Sequence, residues 1–399
     1  MIELKSAKDF VGKFNQEISN YLVSDFYKEP FSEIISEYKL IKNLNFIDFD
    51  LTNMNLNKDI RHITFENCKF HNIISKELKI DSSFINCVFN EINIYEVSLG
   101  LEFKDCSIGK FKINNSELTN PISIKNMENK KVSIGTLEIY DSLFKSSFSL
   151  INIEIHFLTI DNTDFEKNLN FNNIVVHDEI KFKEIKFKDL ALFDDCNFNE
   201  KAEFKYVIFE KFTSFRGSKF SKGIDLEYTS NDKEINFYGM EILDKTTTSQ
   251  ETYRIIKNQF EKLNNKIEAN KYHSLELEQR KKELEKNKCH NLSDYLIFKI
   301  HELSSKHSTS WVRALVCIAS VSFFTIFLVH FDIVKDVFFN PSNFRIEYLQ
   351  KIWDEFWQYV NITNLEKLKD KPFILFINKL SLGYLYYQFL TAVRKDTRK

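Results

Sequence analysis

The chain has 399 residues, enough for two or three structural units. Its 55 basic and 57 acidic side chains leave a net charge of −2, which excludes a global basic field that would recruit nucleic acid or acidic membranes. The 40 Phe set among 8 Gly and 4 Pro require an aromatic core and little loop.

Residues 1–40 do not repeat. Ser6 to Asp9 has the form of a capping box, and Phe10, Val11, Phe14, Ile18, Tyr21 and Leu22 follow at helical spacing. This predicts a helical N-terminal cap, with partner binding as the alternative. The opening Met1-Ile2-Glu3-Leu4-Lys5 is polar, so no signal peptide is expected.

Residues 41–245 repeat. Between residues 158 and 242 anchors recur every eleven residues at Ile160, Phe171, Phe182, Phe193, Phe204, Phe215, Leu226 and Phe237. Apolar or small residues stand two before each anchor and three after it, and five after comes Phe165, Val176, Phe187, Phe198, Phe209, Phe220, Asn231 or Ile242. Positions two apart share one face of an extended segment, and a second pair five residues on demands a bend. Two eleven-residue units would close a coil of four sides. Upstream the frame continues through Leu150, Ile139, Ile124, Ile113, Phe103, Ile94, Phe84, Phe65, Leu56 and Phe46, with a hidden step near Ile74 and a surface insertion at residues 129–131. A short fixed period marks a solenoid whose units bury apolar surface only against their neighbours. About nine coils at a strand spacing of about 4.8 Å make a rod roughly 45 Å long.

Cys68, Cys87 and Cys106 recur every nineteen residues. No C-x-x-C pair accompanies them, so they read as small packing residues rather than metal ligands. No cofactor is expected, and free thiols suit a reducing compartment.

The triplets Cys68-Lys69-Phe70, Cys87-Val88-Phe89, Cys106-Ser107-Ile108, Ser116-Glu117-Leu118, Ser142-Leu143-Phe144, Cys196-Asn197-Phe198 and Ser218-Lys219-Phe220 resemble pentapeptide-repeat proteins. That resemblance implies a right-handed quadrilateral β-helix, a mainly β solenoid. Some such proteins mimic DNA, but this rod interleaves Lys with Asp and Glu, and no nucleic acid is expected.

Helical character returns over 246–290. Thr248-Ser249-Gln250-Glu251 forms a second capping box. Tyr253, Ile256, Phe260 and Leu263 make an apolar stripe, Asn264-Asn265 breaks it, and a second helix with Ala269, Tyr272 and Leu275 follows from about 267 to 285. Through Glu251-Thr252-Tyr253-Arg254, Phe260, Glu268-Ala269 and Arg280-Lys281 this hairpin resembles the segment that joins pentapeptide repeats to membrane helices in some bacterial proteins. Tyr253, Arg254, Phe260 and Tyr272 are then coupling residues, or the hairpin is simply the C-terminal cap of the rod.

Residues 291–310 read as an amphipathic membrane-surface helix. Residues 311–331 read as a transmembrane helix, because about 20 apolar residues span a bilayer. Residues 332–372, with Trp353 and Trp357, read as an extracytoplasmic interfacial loop and helix. Residues 373–393 read as a second transmembrane helix, interrupted by Asn378, Lys379 and Gln388. Residues 394–399 form a basic tail. Trp311, Arg313, Arg394 and Lys395 are expected as membrane-interface anchors. Two spans, with Lys306, Arg313 and the basic tail on one side, place both termini in the cytoplasm.

Asn378, Ser381, Tyr384, Gln388 and Thr391 share one face of the second helix. Polar residues in a span either line a pore or glue helices together. The layout resembles two-helix potassium-channel-like proteins, which need a Thr-Val-Gly-Tyr-Gly filter. Only Leu382-Gly383-Tyr384 approaches it, and residues 332–372 contain no Gly, so potassium selectivity is not expected. Phosphate loops, H-E-x-x-H and G-x-S-x-G are all missing from the sequence, so no enzyme is expected. The reading is a membrane-anchored cytoplasmic solenoid, a homo-oligomer that binds an unknown protein partner as scaffold or sensor. The alternative is a pore gated by the solenoid.

Overall fold

The computed structural model describes residues 3–4, 38–42, 45–50, 62–75, 81–95, 100–127, 132–286, 292–308, 310–329, 346–363 and 371–396. The helical reading of residues 10–22, the 129–131 insertion and the anchor Leu56 lie outside them. The chain forms two compact units, residues 1–263 and 264–399.

The first unit is a parallel β-solenoid. Its strands fall into one 18-stranded and one 10-stranded stack, and the 10-stranded stack takes one strand from each turn. Over the regular half the register advances by 22 residues, pairing Leu158 with Ile180, Ile180 with Ala202 and Ala202 with Ile224. Two eleven-residue units therefore do make one coil. Successive anchors alternate between the stacks, since Phe182 pairs with Phe204 while Phe171 pairs with Phe193.

Burial follows the repeat. Every anchor from Ile160 to Phe237 is buried, and in the three companion sets only Thr229 and Asn231 are not. Phenylalanines one coil apart lie parallel, as Phe182 and Phe204 do at 4.5 Å and 3°. Across the coil they meet edge to face, as Phe193 and Phe204 do at 84°. Both arrangements suit the ring quadrupole.

Upstream the coils differ in length. Phe65 pairs with Phe84, Phe84 with Phe103, and Ile124 with Leu150. Two expectations shift here. The hidden step falls at Ser75, which pairs with Ile94. Phe46 pairs with Phe70, whereas Ile41 pairs with Phe65. The anchor of that coil is thus Ile41. The frame slips by five because the anchor and the inward position five residues on, which lie in different stacks, both accept Phe.

The corners have their own rule. The residue before an inward small position is left-handed, and it is most often Asn or Asp: Asn67, Asn86, Asp105, Asn115, Asp141, Asn152, Asn162, Asn173 and Asp195 have φ from 45° to 57°. Asn and Asp are the non-Gly residues that tolerate this region best. Gly217 and Gly239 take over the column of Asn152, Asn173 and Asp195, and a Cβ on Gly217 would sit 2.2 Å from Asp195 Oδ1. The small side chain that follows satisfies the corner backbone. Ser218 Oγ accepts from Cys196 N at 2.9 Å, and Cys106 Sγ accepts from Cys87 N at 3.4 Å.

Helix α1, Gln250–Lys262, closes the last coil. Ser249 is its N-cap and accepts from Thr252 N, one residue beyond the Thr248 that opens the expected capping box, so Glu251 falls at the second helical position and not the third. Side chains then replace the backbone of a missing coil. Thr248 Oγ1 accepts from Ile224 N, Thr252 Oγ1 from Leu226 N at 2.9 Å, and Gln259 Oε1 from Ile235 N. Tyr253 and Phe260 are buried in the same cap.

The second unit contains α2 (Lys266–Lys286), α3 (Leu292–Ser305), α4 (Trp311–Val329), α5 (Ile346–Val360) and α6 (Pro372–Asp396). The expected hairpin therefore divides between the two units. Helices α4 and α6 pack through Ile318, Leu382 and Leu385. Of the 332–372 connection the structure describes residues 346–363 and 371–372. Helix α5 does not lie across one end of the pair. It runs antiparallel to α4: Phe356 stacks on Phe323 at 4.7 Å and packs on Ile326, while Val360 reaches the Ile318 cluster.

Candidate functional site

Three groups of residues carry functional expectations, and the fold treats them differently. The coupling set separates. Tyr253 and Phe260 serve the cap of the solenoid, Arg254 is exposed, and Tyr272 is buried in the helical unit. Tyr253 also donates from its hydroxyl to Lys245 O at 3.1 Å.

The polar stripe of α6 meets partners within its own unit. Asn378 Nδ2 donates to Thr325 Oγ1 at 2.9 Å, and Asn378 is buried. Tyr384 OH lies 3.4 Å from Ser304 Oγ. Gln388 Oε1 accepts from Ser305 Oγ at 3.0 Å and from Ser308 Oγ at 2.6 Å. Thr391 Oγ1 returns to Tyr387 O on its own helix, and Ser381 is half-buried. Helix-to-helix bonds thus occupy Asn378, Tyr384 and Gln388.

Of the interface anchors, Trp311 packs edge-on against Phe389 at 6.5 Å. Arg313 and Arg394 are exposed, and Lys395 is half-buried. Among the described residues one helix, Trp311–Val329, is long and apolar enough to cross a membrane, and 28% of its most apolar window is buried inside the structure. Helix α6 is longer, but Lys379, Arg394 and Lys395 dilute it. Outward-facing apolar side chains also mark α3, through Leu296, Ile297 and Leu303, and α6, through Phe373, Phe376 and Leu390.

The solenoid surface is chiefly paired charge. Lys186 meets Glu210 at 2.8 Å, and Lys201 meets Asp225 at 3.0 Å. Its shallow cleft sets Lys211, Lys233 and Lys262 against Asp189, Asp232 and Glu234, so neither sign prevails. Among the described residues no group of three His, Cys, Asp or Glu side chains converges on a metal position. Cys68, Cys87, Cys106 and Cys196 are buried and unbridged. The Cys106 hydrogen bond pushes the Cys87 thiol up to about 12, and burial does the same for Cys196. These are packing groups, not nucleophiles.

Residues 182–230 match the family described as pentapeptide repeats, nine copies. This stretch is a pentapeptide-repeat array. Of the triplets that suggested it, Cys196-Asn197-Phe198 and Ser218-Lys219-Phe220 lie inside the matched stretch. The β-solenoid extends by pairing well beyond the matched stretch, from Tyr38–Lys42 to Glu241–Ile242. No curated protein and no solved structure matches the chain.

One group was missed by sequence reasoning. His301 and His307 stand six residues apart in the sequence, and their Nδ1 atoms lie 3.2 Å apart at the corner between α3 and α4. Lys306, His307 and Ser308 are all left-handed, with φ of 49°, 57° and 59°. Ser308 N donates to Ser305 Oγ at 2.8 Å, and Ser308 Oγ lies 3.2 Å from His301 Nε2. The spacing of two His around a Ser-rich turn was the available signal.

Proposed function

We propose that the protein is a membrane-anchored, non-enzymatic scaffold whose pentapeptide-repeat solenoid presents an interaction surface in the cytoplasm. The observation that carries this reading is the outward apolar surface of α3, α4 and α6, with α4 largely unburied by its own unit. Contiguous apolar surface of this extent needs a cover, and a lipid bilayer suits helices of this length. The solenoid offers a rigid face of alternating charge, suited to a protein partner rather than to nucleic acid. On this reading α4 and α6 both span the inner membrane, both termini are cytoplasmic, and the protein works as a homo-oligomer.

The test is fractionation of the full-length protein. It should sediment with membranes and stay there through alkaline carbonate, and release into the soluble fraction would overturn the anchor. Cross-linking in the membrane should yield a defined homo-oligomer, and a monomer alone would remove that part of the reading.

A second reading, an oligomeric pore, is favoured by one observation. The C-terminal end of α5 reaches the middle of the α4–α6 pair, where Tyr386 OH donates to Val360 O at 3.1 Å and Lys379 Nζ to Asn361 O at 2.7 Å. A helix that enters and stops part-way leaves irregular backbone at depth, which membranes tolerate around a cavity or inside protein. Liposomes carrying the protein should then leak ions, and Ser381→Leu should reduce the leak. Tight liposomes holding correctly inserted protein would leave the scaffold alone.

A further inference from the structure

The corner between α3 and α4 goes beyond either reading: its residues, His301 to Ser308, precede the candidate span, and their partner Gln388 lies on α6. Its hydrogen positions follow from donor counting. Ser308 Oγ donates to Gln388 Oε1, so its only hydrogen is spent. The contact with His301 Nε2 therefore requires that nitrogen to donate. Neutral His301 then has a bare Nδ1, and His307 must donate to it from Nδ1. The result is a directed chain from His307 through His301 and Ser308 to Gln388 on α6. Ser305, His307, Ser308 and Gln388 are all buried. A first proton on His307 Nε2 leaves this chain intact, because Nδ1–H still donates; a second, on His301 Nδ1, sets two N–H groups head to head at the same distance.

We propose that the His301–His307 pair is a proton-operated lock on the α3–α4 corner. Neutral, it holds residues 306–308 in their left-handed turn and ties that turn to α6. With both rings charged, the chain breaks and the turn is freed, whose backbone has no preference for this conformation outside the network.

The surroundings set the direction. Among the described residues, Lys281 and His273 face the pair from α2, Glu302 from α3 and Lys395 from α6. Tyr384 reaches Ser304 beside it, and on α4 Cys317 Sγ donates to Leu303 O. Glu302 is itself bound to Lys281 at 2.7 Å, which holds its carboxyl below the usual range. Burial lowers both imidazoles, and His307 falls from 6.5 to about 4. A depressed imidazole stabilises the folded corner above the unfolded value of 6.5 and loses that contribution as pH falls toward about 4.

The experiment is amide hydrogen exchange of residues 303–310 in the full-length protein in lipid nanodiscs, from pH 7.5 to 4.5, corrected for intrinsic rates. Protection should fall at least about tenfold, since each unit of pKa depression carries a factor of ten. The His301→Asn/His307→Gln variant should show no step, and His273→Gln should keep it. Nitrogen-15 shifts of the labelled histidines in the unmodified protein should report Nε2–H on His301 and Nδ1–H on His307 at neutral pH. A flat exchange profile in the unmodified protein, a step that survives in the double variant, a step lost in His273→Gln, or the opposite tautomers would each overturn the lock.

Discussion

At the scale of single residues the solenoid rests on two demands, an inward side chain and a backbone that can turn left before it. Glu184, Tyr206 and Tyr228 meet the second demand badly, with φ of 53°, 57° and 58°. Tyr206 and Tyr228 recover something by stacking at 5.0 Å, whereas Glu184 is held by an exposed pair with Lys183. Left-handed backbone costs an ordinary residue about 1–2 kcal/mol, so Glu184→Asn should stabilise the rod by about 0.5–1 kcal/mol in thermal unfolding. The asymmetry between core and surface Phe should be wide. Phe193→Ala should cost about 3–5 kcal/mol, and Phe157→Ala, at 47% exposure, within about 0.5 kcal/mol. All 3 Trp, Trp311, Trp353 and Trp357, lie in the helical unit. Far-ultraviolet circular dichroism, not Trp fluorescence, is the probe for the rod.

At the scale of elements the most informative is α1. A solenoid end leaves backbone N–H groups that the next coil would have satisfied, and an unsatisfied buried donor costs about 1–3 kcal/mol. Thr252→Val keeps the shape but removes the acceptor of Leu226 N. It should lower rod stability by that amount while leaving the melting of the helical unit unchanged. Helix α1 also shows what the sequence can and cannot say about such an element. The start of α1 was legible because Ser249 and Thr252 act locally. Its role as a substitute coil was not, because Thr248, Thr252 and Gln259 reach residues 24 to 26 positions back. The stripe on α6 was legible as a face, but its partners Thr325, Ser304, Ser305 and Ser308 lie on other elements. Helix α5 misled for a related reason. An amphipathic pattern reports that one face is covered, and headgroups and a neighbouring helix leave the same pattern.

For the whole molecule, sequence reading succeeded where the repeat obeys a fixed period and slipped where coil length changes. From residue 158 onward every coil has the same length, so eleven-residue counting finds each inward position. Upstream the coils shorten or lengthen, and only pairing reveals that Phe46 belongs with Phe70. Buried thiols give a global test of the assembled rod. In the native protein Cys68, Cys87, Cys106 and Cys196 should resist a maleimide and react together on unfolding. Early reaction of Cys196 alone would show that the regular half opens by itself.

The constant register of the regular half also makes the rod countable. Ile180 and Ala202 occupy equivalent places one coil apart, so excising residues 180–201 joins Glu179 to Ala202 with every later side chain facing as before. A cut a few residues shorter would break the 22-residue register at the junction with the coil beneath it. Within the regular half, therefore, the length that can be removed or duplicated without re-aiming a side chain comes in units of 22 residues.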